Sequence, residues 1–171
     1  MKKLIVLLLI TLTLSALYAG ASLTLGCGAS AYTDSASMRF LPGGYLEGGA
    51  LVDITKSGNV KSDSSFRIET GVDARKNDYI LFRTSLSSGV MLKTESSLTF
   101  SLRPAASFVM FISNLKDHPS ALDLSLGGAL DFGVDISKEG IFLIYAGLDV
   151  EYGFYERNIY YDISLGGKWN E

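Results

Sequence analysis

The last stretch of the chain, "NIYYDISLGGKW" from Asn158 to Trp169, places Ile159, Tyr161, Ile163, Leu165, Gly167 and Trp169 in alternation with more polar neighbours. A period of two puts one set on one face of an extended strand and the other set on the opposite face. The same pattern returns along the chain and predicts eight strands, at about 22–31, 45–54, 66–75, 79–92, 97–112, 121–136, 141–155 and 158–169. It is cleanest in the sixth, where Leu122, Leu124, Leu126, Leu130, Phe132 and Val134 alternate with residues that include Asp123, Ser125 and Asp131.

Short polar segments such as "KND", "KTE", "SKEG" and "ER" separate the strands, and connections of this length join antiparallel neighbours. Two longer segments, "YTDSAS" through "PGG" and "KSGNVKSDSS", are expected as loops. Pro104 falls inside the fifth strand, where it removes a ladder donor and suggests a bulge.

A soluble lipocalin-like barrel with its apolar face inward and a membrane barrel with that face outward share this alternation. Charge placement separates them. The apolar faces carry no charged residue, as hydrocarbon exposure requires, since a charge there costs about 2 to 4 kcal/mol. Lys56, Lys61, Lys76, Lys93, Lys116 and Lys138 fall in turns, and only Lys168 lies on the polar face of a strand. Phe66, Phe142 and Trp169 are expected at one rim, and Phe82, Phe108, Tyr152, Phe154 and Tyr161 nearer the other, where aromatic rings meet headgroups. Open edges in hydrocarbon would strand backbone amides, so the strands must close. The expected fold is all-β, a closed antiparallel up-and-down transmembrane barrel of eight strands.

At the start, Lys2 and Lys3 precede an apolar run from Leu4 to Leu17 and the small residues Ala19-Gly20-Ala21, the pattern of a secretory signal peptide. The expected organisation is a signal peptide over 1–21 and one barrel domain over 22–171. A formal net charge of −3, made more negative by loss of the two lysines, argues against a nucleic-acid partner. The single cysteine, Cys27, excludes an internal disulfide framework.

With these strands the chain resembles the small eight-stranded outer-membrane barrels, the type of the OmpA transmembrane domain and the OmpX-like proteins. The local match is the final strand, "ISLGGKW", with Gly166, Gly167 and Trp169, although Asn170 and Glu171 follow where that family usually stops on the aromatic. The resemblance implies location in the outer membrane of a diderm bacterium, contact with outer-membrane lipid, and engagement of the barrel-insertion machinery by the terminal strand.

The inward faces hold Glu47, Asp53, Arg67, Glu69, Asp73, Arg75, Arg83, Arg103, Asp123, Asp131, Asp149, Glu151 and Asp162, joined by Asp135 and Lys168. In a barrel only wide enough for its own side chains this set is expected as a salt-bridged plug. The alternative is a narrow cation-preferring path, or a lateral route for apolar molecules. A structural or envelope role, or weak binding of an unidentified surface ligand, is therefore expected rather than catalysis.

Two further readings stay open. His118 and Ser120 form a His-x-Ser pair similar to that of outer-membrane lipid deacylases, in which a base activates a serine. Pro119 is a stiff spacer there, and no third carboxylate is placed. Cys27 ends "LTLGC", an approximate lipidation box, or is simply a small lipid-facing residue like Ala29 and Ala31. No metal-ligand cluster or phosphate-cradling loop occurs, so no cofactor is expected.

Overall fold

The computed structural model describes residues 22–35, 39–73, 79–113, 120–137 and 142–170. The proposed signal peptide lies outside them. The described chain forms eight strands: β1 (Ser22–Asp34), β2 (Phe40–Asp53), β3 (Val60–Val72), β4 (Tyr79–Lys93), β5 (Leu98–Ser113), β6 (Ala121–Asp135), β7 (Phe142–Gly153) and β8 (Ile159–Asn170). Each pairs antiparallel with its chain neighbours and β8 pairs with β1, giving a closed up-and-down barrel.

The register fixes the shape. Followed once round the barrel, Thr24 pairs with Gly49, then Ser65, Ser87, Ala105, Gly127, Glu151 and Tyr160, and the path returns to β1 at Asp34, ten residues further along. An offset of that size over eight strands tilts them about 40° from the axis. Strands of 12 to 16 residues at that tilt rise by roughly 30 to 40 Å, enough to cross a hydrocarbon core about 30 Å thick.

Side-chain alternation then sorts the chain as hydrocarbon surroundings require. Leu25, Leu46, Leu102, Phe132, Ile163 and Leu165 point outward and are each more than half exposed, whereas Glu47, Arg67, Arg83, Arg103, Asp123 and Asp162 are at most 3% exposed. No outward position of a described strand carries a charge. This is the reverse of a soluble barrel.

Three expectations are corrected. The segment "PGG" is part of β2, which begins five residues earlier than predicted, because Phe40 and Leu41 already alternate outward and inward. Likewise β3 begins at Val60, so most of "KSGNVKSDSS" is strand and only residues 54–59 connect β2 to β3. Serines and Asp63 diluted the hydrophobic signal there: Asp63 and Ser65 serve the inward polar face, whereas Ser62 and Ser64 are small outward residues. Pro104 makes no bulge. The β4–β5 register runs unchanged from Ser87 opposite Ala105 to Val90 opposite Leu102, so the missing donor is absorbed without an inserted residue.

The rims also differ in part from expectation. Phe142 and Trp169 do meet at the end of the barrel that holds both described termini, with ring centroids 4.6 Å apart, and Tyr152 and Phe154 meet at the other end. Phe66 instead lies midway along β3, opposite Leu86. Over the small outward residues Gly48, Ala50, Ser64, Ser88 and Pro104 runs a hollow of about 700 Å³, in which the Ser64 and Ser88 hydroxyls bond each other at 2.7 Å.

Candidate functional site

The interior is organised in layers. At the end away from the termini, Tyr32, Leu41, Leu81, Val109, Phe111 and Tyr160 close the lumen with exposures of 0 to 3%, and Tyr79 and Ala121 pack against them. Ring centroids of Tyr32, Phe111 and Tyr160 lie 5.6 to 6.0 Å apart, in the range of favourable tilted aromatic pairs. This apolar cap sits on the same strand faces as the charges below it. Its signal was present in the sequence, since Leu81 shares the parity of Arg83.

Beneath the cap, three arginines from adjacent strands each gather several carboxylates. Arg83 donates to Glu69 at 2.9 Å, Asp149 at 2.8 Å and Glu151 at 2.6 Å. Arg67 donates to Glu47 and Asp162 at 3.1 and 3.3 Å while its guanidinium lies 4.3 Å over the Tyr45 ring. Arg103 pairs with Asp131 and donates to Ser65 at 2.9 Å. The planar five-donor guanidinium suits this sharing, which a lysine could not reproduce. Lys168 completes the layer with a 2.6 Å contact to Glu47. Serines fill remaining acceptors: Ser107 and Ser125 donate to Glu151, and Ser101 donates to Asp63.

Asp123 stands nearer the cap, accepting from the Tyr160 hydroxyl at 2.6 Å and the Tyr155 amide at 2.9 Å. Below the network Leu51, Met91 and Leu143 are buried. Removing one member of such a buried set leaves its partners charged and desolvated, so the network is costly to break and adds little net stability when whole.

Not every residue expected in the lumen lies there. Asp53 closes β2 at the terminal rim, exposed, and pairs with Lys61 at 3.0 Å. Asp73 follows the end of β3 at the far rim, where its amide donates to the Tyr79 carbonyl. Asp135 ends β6 at the terminal rim and pairs with Lys93. Strand alternation was extended past the end of β3 at Asp73, whereas Asp53 and Asp135 are the last paired residues of their strands, with the Asp135 side chain turned inward at the rim. Arg75 lies outside the described residues. Asp63, in turn, belongs to the lumen and was hidden in the segment read as a loop.

The terminal-strand glycines have packing duties. Gly166 pairs with Gly28, and a Cβ on either would overlap the Tyr45 hydroxyl that leans across this seam. A Cβ on Gly167 would come 2.7 Å from the Phe142 ring. Cys27 sits within β1, outward and exposed, paired with Leu46 and Gly167. Ser120 accepts a hydrogen bond from the Ser113 amide, and His118 lies outside the described residues. Among the described residues no group of three or more His, Cys, Asp or Glu side chains could hold a metal ion.

No protein-family model and no curated protein sequence matches the chain. Solved structures do. Neisserial surface protein A aligns with a TM-score of 0.62 at 16% identity, over 88% of this chain and 98% of its own. Ail, the attachment invasion locus protein of Yersinia pestis, aligns with a TM-score of 0.58 at 14% identity, over 88% and 97%. A major outer membrane protein from Thermus thermophilus aligns at 0.50 and 15%, over 88% and 99%. The chain therefore has the fold of the small eight-stranded outer-membrane barrels, and at these identities it is the fold alone that is shared.

Proposed function

We propose that this protein is a non-catalytic barrel of the outer membrane of a diderm bacterium, with a structural or weak surface-binding role. The carrying observation is the interior. The arginine network is capped by Tyr32, Leu41, Leu81, Val109, Phe111 and Tyr160, which supports a plug in place of a conducting path. The exposed outward leucines and phenylalanines support a hydrocarbon setting.

By analogy with the shared fold, the termini face the periplasm and the connections at residues 35–39, 73–78, 114–120 and 154–158 face outward. They are short, which favours an envelope role over a large receptor surface. The opposite connection at 54–59 is short too, so the barrel presents no long loop there on the periplasmic side. Outer-membrane lipid and, through "ISLGGKW", the barrel-insertion machinery are the partners this reading requires.

Planar-bilayer recording of the purified, refolded barrel tests the plug. No steady opening is expected; a reproducible single-channel conductance would replace the structural role with transport.

A further inference from the structure

The outward face of the barrel is hollowed over Gly48, Ala50 and Pro104, with Phe66, Leu86 and Leu126 as walls and a volume of about 700 Å³. That is a size at which small-molecule sites are built. No charged residue lines it. A Cβ added at Gly48 would meet nothing within 4 Å, so the space is open down to the sheet. The outward serines of the described strands, Ser62, Ser64 and Ser88, all stand here: Ser64 pairs with Ala50 on one side and with Ser88 on the other, and Ser62 pairs with Val52 and Val90.

The two ends of the hollow differ. β3 rises from the terminal rim, so Ser62 and Ser64 precede Phe66, and on β4, which runs back, Ser88 lies nearer that rim than Leu86. The hydroxyls therefore sit toward the termini and the apolar walls lie deeper. Ser64 is four residues beyond Val60, about 10 Å along the axis at the strand tilt, within the terminal half of a hydrocarbon core about 30 Å thick.

Size, shape and charge select the occupant. A specific protein interface takes about 20 to 30 residues a side, whereas fourteen line the hollow. A second copy related by a two-fold axis would set hollow against hollow and enclose a void, which packed interfaces avoid. A charged headgroup finds no counter-charge there, but an uncharged acyl chain matches the walls. The Ser64 and Ser88 hydroxyls bond each other at 2.7 Å, which uses one of their two protons and leaves the other to donate. At this depth a donor is matched from within the membrane, not by water.

We propose that the hollow is a binding site for one phospholipid of the leaflet on the side of the termini. Its acyl chain lies against Gly48 and Phe66, and its ester carbonyl accepts from the Ser64–Ser88 pair. The site rests on the hydrocarbon setting proposed above and adds a specific lipid partner to it.

Native mass spectrometry tests the site on the whole barrel, refolded in phosphatidylethanolamine vesicles and extracted in mild detergent. One phospholipid per wild-type barrel is expected to persist. Gly48→Leu, which fills the hollow from a position with room for it, is expected to lose that lipid, whereas Ala146→Leu, the same kind of enlargement outward on β7, keeps it. Ether-linked phosphatidylethanolamine, which lacks the ester carbonyl, is expected to be retained less by the wild type, and no better by the wild type than by the Ser64→Ala, Ser88→Ala double variant. A bare wild-type barrel, or equal retention by wild type and Gly48→Leu, would overturn the proposal. A dimer that Gly48→Leu dissolves would also overturn it, by putting a second copy in the hollow. Flotation of each barrel with its vesicles reports insertion separately, so failure of the site is distinct from failure of the hydrocarbon setting.

Discussion

The Lys168 ammonium lies 2.6 Å from Glu47 Oε1, linking β8 to β2 across β1, and Arg67 and Arg103 reach the same carboxylate. Glu47 is thus the acceptor on which three cations converge. Replacing it with Gln takes from Lys168 its nearest carboxylate and from Arg67 and Arg103 one of several, and a loss of about 3 kcal/mol is expected. Lys168→Met leaves Glu47 with two arginines and costs less. Denaturant unfolding of the refolded barrels measures both, and the order of the two losses checks this reading of the network.

The seam between β8 and β1 depends on missing side chains. Gly166→Ala pushes a methyl into the Tyr45 hydroxyl and the Cys27 carbonyl, and is expected to destabilise by about 1 to 3 kcal/mol. Adding Tyr45→Phe removes one of the two obstacles, so part of that loss returns. A double-mutant cycle reads the coupling.

In the cap, Leu81 is fully buried among Val109, Phe111 and their neighbours. Leu81→Ala is expected to cost about 2 to 5 kcal/mol through the cavity it leaves. Conductance stays absent in that variant, because Arg83 and its carboxylates still fill the section beneath.

Trp169, half exposed and packed on Phe142 at the terminal rim, places a single fluorophore at headgroup level. Quenchers attached near the headgroup are expected to quench it more than quenchers at the chain ends. Equal quenching at both depths would mean that the rim lies elsewhere.

The alternation of β5 to β8 was legible because leucines and phenylalanines stand opposite serines and aspartates with few exceptions. The start of β3 was not. There a membrane barrel needs only small outward residues, and Ser62 and Ser64 read as loop. The charged lumen followed from parity, and parity also put Leu81 on the inward face with Arg83, but the cap as a cluster did not follow, because Leu41 lay in a segment read as a loop and Phe111 looks like an outward residue. Sequence alternation tells which residues share a face; it does not tell that the inward face changes from ionic to apolar along the axis. Asp73 shows the same limit, since parity continues past the end of β3, whereas Asp53 and Asp135 are the last paired residues of β2 and β6, where the inward face meets the rim.

Cys27 offers the most direct test of the whole arrangement, because it is the chain's single cysteine and points outward from the middle of β1. With the wild-type barrel in lipid vesicles, an apolar maleimide is expected to label it while a charged, water-soluble maleimide leaves it unreacted until the protein is unfolded. Rapid labelling by the charged reagent in the folded barrel would mean that water, not hydrocarbon, covers the outside of the sheet.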